Sequence, residues 1–167
     1  MVRLPPSIND TSVTTSEVHR MPNPTARSRL PRAGDPIRSS IDAIAVVSMA
    51  IHRPLEAETI AFFLDHTGRS NTITMISGTT DPDSVLSVAE CMSMAGARSP
   101  TVCGVVLATV RPHTAPHVSA TLPGDIDRWI QAGEITEANG IELIEWFIVG
   151  PSGVACPREL LGEPERW

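Results

Sequence analysis

Lysine and tyrosine are both missing from this chain of 167 residues, whose thirteen basic side chains are all arginine. Without lysine there is no Schiff-base chemistry on an amine and no phosphate-loop lysine. Without tyrosine there is no phenol to act as acid or base. Cysteine is scarce, and Cys91, Cys103 and Cys156 stand far apart. An odd number with no Cys-x-x-Cys pair argues against a disulfide framework and a thiolate zinc site, and predicts small buried apolar residues instead. Long apolar runs are missing as well. The longest, Ala43 to Val47 and Val105 to Ala108, suit a core helix or strand and fall well short of the roughly 18 residues of a membrane span. No apolar stretch of about 7–15 residues near the start has the form of a secretory signal. These absences predict a cytoplasmic protein with no membrane partner. A net charge of −6 leaves no overall electrostatic footprint for nucleic acid.

What is present is enough for one domain. Hydrophobic residues make up 41% of the chain, and its length suits a single core. Residues 1–38 stand apart. They hold Pro5, Pro6, Pro22, Pro24, Pro31 and Pro36, many Ser and Thr, and Arg3, Arg20, Arg27, Arg29, Arg32 and Arg38. Such a segment buries too little to offset the entropy of ordering it, and is expected to be a disordered, solubilising leader. Residues 39–160 form the expected single domain, and residues 161–167 a tail whose Trp167 is expected to be exposed or held by a partner.

Within the domain the periodicities alternate. Ser39 to Asp42 can cap a helix running to about His52, with Ile44, Val47, Ser48 and Ile51 on one side and Pro54 beyond its end. Thr59 to Leu64 and Thr72 to Ile76 read as strands of a hairpin around Gly68. Asp81-Pro82-Asp83-Ser84 starts a helix whose inward face is Val85, Val88, Ala89, Met92 and Ala95, and Gly96 stops it. Val102 to Val110 is almost continuously apolar, as a central strand covered on both faces would be. A helix from about Asp125 to Asn139 turns Ile126, Trp129, Ile130 and Ala138 inward. Ile141 to Val149 and a short stretch near Val154 to Cys156 are the last strands, with Trp146 and Phe147 in the core. The order αββαβαββ predicts the α/β (α+β) class: a mixed sheet flanked by helices.

The loop after the central strand carries the candidate chemistry. Arg111-Pro112-His113-Thr114-Ala115-Pro116-His117 is followed by Asp127 at a strand-to-helix junction. Two imidazoles and a carboxylate are zinc-ligand types. The plainer alternatives are solvated loop histidines, an Asp127 favoured by the helix dipole, and a Glu58 solvated at a strand start. Arg111 ends a central strand, where sheets of this kind bind ligands. It is expected to pair with Asp127 or Glu58, or to bind an anion.

From about Glu56 to Trp167 the chain resembles the JAB/MPN (JAMM) metalloprotease-like domain, in its bacterial RadC-like branch. The ordered pieces are Glu58, the strand end Phe62-Phe63-Leu64-Asp65, Gly68-Arg69, Ser77-Gly78-Thr79, Gly104 to Ala108, the His-bearing loop with Asp127, Gly140 to Gly150, and Pro157-Arg158-Glu159. The resemblance implies a JAB/MPN-like, cytidine-deaminase-like architecture. It also implies a zinc ion held by a His-x-His-Pro pair and the aspartate of Ser-x-x-Asp, with a glutamate as general acid/base on the bound water. This chain departs from that motif. Arg111 replaces the first histidine, Thr114 the proline after His113, and Gly124 the serine. A guanidinium is a permanent cation and no zinc ligand. The preferred expectation is a domain that has lost hydrolase activity, needs no cofactor, and binds a protein partner or a small anionic ligand around Arg111. The alternative is an active zinc (iso)peptidase with Glu58 as base and His113, His117 and Asp127 as ligands. A nucleic-acid role is the weakest reading.

Overall fold

The computed structural model describes residues 34–70, 72–115 and 117–167. The leader expected over residues 1–38 lies outside the described residues as far as residue 33. Its last part is packed. Pro36 bridges to Arg69, the Ile37 amide donates to the Gly68 carbonyl at 2.8 Å, and the Ile37 side chain is buried in the core.

The elements run α1 (Ser40–Ala50), β1 (Glu58–Asp65), β2 (Ile73–Ser77), α2 (Ser84–Gly96), β3 (Val102–Val110), α3 (Asp125–Ala138), β4 (Glu142–Gly150), β5 (Gly153–Ala155) and α4 (Pro157–Leu160). They build a five-stranded sheet in the order β2-β1-β3-β4-β5. Only β3 and β4 are parallel, and α3 is the crossover that parallel pairing demands. This is the expected mixed α/β architecture, with β3 at its centre. The short α4 was not among the expected elements; Pro157 opens it at a position where a missing N–H costs nothing.

The pleat divides the core in two. Ile60, Phe62, Val106, Ala108, Val110 and Phe147 face α1 with its Ala43, Val46 and Val47. Ala61, Val105, Leu107, Trp146 and Ile148 face α2 and α3, with Val85, Val88, Met92, Trp129 and Ala132. The hairpin turn is held by Asp65, whose Oδ1 accepts from the Thr67 amide at 2.8 Å, the Thr67 hydroxyl at 2.6 Å and the Arg69 amide at 3.0 Å. The Thr67 hydroxyl, with the Arg69 amide behind it, lowers the Asp65 carboxyl to about 2.

Several expectations about facing need correction. α1 ends at Ala50, before His52, and Ser48 is exposed because the buried stripe is Ala43, Val46 and Val47. Ala95 of α2 is exposed, and Ser93 and Gly96 turn inward instead. On α3, Ile130 and Ala138 are exposed, since the buried side runs Trp129, Ala132, Thr136. Cys91 and Cys103 are exposed rather than core residues. Cys156 is buried, and burial pushes its thiol up to about 12. Trp167 is half-buried: it packs on the α1-side core, and its indole N–H donates to Ser40 Oγ at 3.2 Å.

Candidate functional site

At the end of β3 the sheet opens into a cleft of about 250 Å³, bounded by Ala57, the Thr79–Pro82 segment after β2 and the Arg111–Thr114 turn. Arg111 prolongs β3, its amide donating to the Val149 carbonyl at 2.8 Å. Strand alternation carries its side chain to the α2/α3 side, with Leu107 and Thr109.

There it meets Asp125. Nη1 donates to Oδ2 at 2.7 Å and Nη2 to Oδ1 at 2.9 Å, the two-pronged geometry in which this pair is strongest. Nη1 also donates to the Ala120 carbonyl at 2.8 Å. The Asp125 side chain is 1% exposed and that of Arg111 13%. Asp125 further accepts from the Leu122 amide at 2.6 Å and from Arg128 Nη1 at 3.3 Å, while Arg128 Nε holds Asp83 at 2.7 Å. The Asp125 carboxylate thus ties the loop and α3 to the end of the central strand, and Arg128 extends the network to the start of α2. Two glycines permit it. A Cβ on Gly150 would stand 2.6 Å from that of Ala120, so only glycine lets the loop pass this close to β4. Gly124, where the resembled motif has serine, caps α3 at φ 84°.

The residues singled out by spacing are not gathered here. Contrary to the expected pairing with Asp127 or Glu58, Arg111 pairs with Asp125. Asp127 is exposed in the first turn of α3, because positions two apart on a helix face different ways. His113 lies exposed on the rim of the cleft. His117, also exposed, lines a separate depression with Ser119 and Ser152. Glu58 is not a solvated strand end. It is 0% exposed, because β1 is an inner strand, and alternation puts it on the α1 side of the sheet. Its Oε1 accepts from the His52 amide at 2.9 Å, and its Oε2 lies 2.6 Å from His52 Nδ1. The hydrogen bond to Glu58, helped by the Glu58 charge, raises the His52 imidazole above its ordinary value. Among the described residues no three His, Cys, Asp or Glu side chains are grouped to hold a metal ion. As placed, Glu58, His113, His117 and Asp127 do not fit a zinc tripod with a basic partner.

Two features escaped the reading of spacing. The first is a line of hydroxyls. Trp146 Nε1 donates to Thr109 Oγ1 at 3.0 Å, Thr109 and Thr59 hydroxyls lie 3.3 Å apart, and Thr59 Oγ1 donates to Thr79 Oγ1 at 3.0 Å. Its trace in the sequence is a threonine in each of two largely apolar strands, and these are cross-strand partners. The second is Glu145, fully buried in β4, which accepts from Arg158 Nε at 2.7 Å. Burial raises the Glu145 carboxyl, against the pull of Arg158.

No family model matches the chain, and no curated protein matches it.

Proposed function

We propose that this chain is a RadC-like JAB-domain protein that has lost zinc hydrolase chemistry and serves as a binding module, its cleft at the end of β3 being the binding site. The observation that carries the reading is the Arg111–Asp125 pair. A guanidinium ends the central strand where the resembled motif begins its ligands, and its two-pronged bond to a buried aspartate leaves no vacancy for a cation. The mixed sheet and its helices agree with such a domain without singling it out. Among the described residues no helix is long and apolar enough to cross a membrane, which fits a site open to water.

Elemental analysis of the purified full chain, after growth in zinc-supplemented medium, tests the proposal. Background zinc is expected. About one zinc per chain, lost in His113→Ala and His117→Ala, would establish the hydrolase alternative instead.

A further inference from the structure

We infer that the cleft takes an uncharged, carbonyl-bearing group, the amide of a peptide or of an Asn or Gln side chain, with Thr79 Oγ1 as the donor that receives it. The inference rests on the binding-module reading and names the ligand class of that site.

The proton bookkeeping of the hydroxyl line sets the polarity. The indole of Trp146 can only donate, so Thr109 Oγ1 accepts there. Thr59 sends its one proton to Thr79. Thr109 must then send its own proton to Thr59, across the 3.3 Å gap. Every proton along the line is directed outward, from the buried indole toward the cleft. The line ends at Thr79, which lines the cleft and accepts within it. Among the described residues the Thr79 hydroxyl proton has no protein acceptor. Hydrogen bonds in series polarise one another, and burial strengthens the effect. Thr79 is therefore a better donor than an isolated hydroxyl, and it calls for an acceptor in the cleft.

Charge decides which acceptor. Arg111 is matched by Asp125, and Arg128 is shared between Asp125 and Asp83. Asp81 stands on the cleft wall. Two guanidiniums against three carboxylates leave no surplus positive charge to attract an anion. A carboxylate or phosphate would meet Asp81 and a guanidinium already engaged. A neutral carbonyl accepts from Thr79 without that opposition. Pro82, Pro112 and Leu122 offer apolar wall to the rest of the ligand. The volume, about 250 Å³, is below the usual range for drug-sized ligands and suits one residue-sized group.

The test is a pair of probes in which a terminal methylamide is exchanged for a carboxylate. N-acetylalanine methylamide and N-acetylalanine are titrated into the isotope-labelled full chain and followed by amide chemical shifts. The neutral amide is expected to give saturable shifts around Thr79, Thr109 and Arg111. The acid should bind at least about fivefold more weakly. Thr79→Val should weaken the amide about five- to tenfold, the scale of one hydrogen bond, while Thr79→Ser restores it. Acid binding as tight as the amide, an unchanged Thr79→Val, or no saturable shift with either probe would overturn the inference. Zinc content is measured separately, so loss of the binding-module reading is distinguishable from loss of this one.

Discussion

The two sides of the sheet treat their buried polar groups differently. On the α1 side each buried acid has a partner of its own. Glu58 is closed by His52, and Glu145 by Arg158, whose Nη1 also donates to the Glu163 carbonyl. On the α2/α3 side Asp125 is likewise closed, but the threonine line beside it is not: it ends at an open cleft with a proton to give. Buried polar groups normally find partners within the protein. On the α1 side one buried side-chain atom, Arg158 Nη2, has no hydrogen bond and is sealed from solvent, whereas on the α2/α3 side the half-exposed Thr79 hydroxyl faces an open cleft that a ligand can reach. Paired acids at the other sites hold structure together.

The largest effect that sharpens this contrast belongs to Arg158. Its side chain is 2% exposed against a fully buried Glu145. Arg158→Ala strands a carboxylate in the core and should cost about 3–5 kcal/mol in chemical denaturation. Arg111→Ala comes next. It abandons Asp125 too, but at the mouth of a cleft where water can follow, and about 1–3 kcal/mol is expected. Equal losses for the two variants would erase the distinction between a sealed and an open side.

The pH dependence separates His52 from both arginines. Its folded-state value is raised above the ordinary 6.5 by Glu58, with a smaller push from Glu56. The contribution of the pair is therefore complete below pH 6.5 and fades as pH rises through the raised value. The stability gap between wild type and His52→Ala should narrow over that window, read from denaturation midpoints in matched buffers. A gap that widens with pH would contradict the pairing. The smallest effect belongs to Thr79→Val. It removes a donor that no described residue uses and also the acceptor of the buried Thr59 hydroxyl, so about 1 kcal/mol of stability should be lost while binding suffers.

Much of this layout is legible in the residues. The central β3 announces itself by an apolar run with no alternation, and the hairpin by Gly68 between two strand patterns. Sidedness is less legible. The inward face of α3 turns on whether residue 130 or 132 meets the sheet, and only the packing of Trp129 decides that. The site follows the same rule. Arg111 at the end of the central strand is visible as an anomaly. Its partner is not, because Asp125 and Asp127 are equally plausible at a helix start and differ only in the direction they face. Glu58 looked like a strand end at the surface since nothing local says that β1 lies between two neighbours. The threonine line depends on cross-strand register, which spacing along one chain does not carry.

A crystal structure of the full chain grown with excess zinc is the most direct measurement. Arg111 is expected to remain bound by both prongs to Asp125, with the cleft free of metal. A zinc ion held by His113, His117 and Asp127, with the guanidinium of Arg111 swung away, would contradict it.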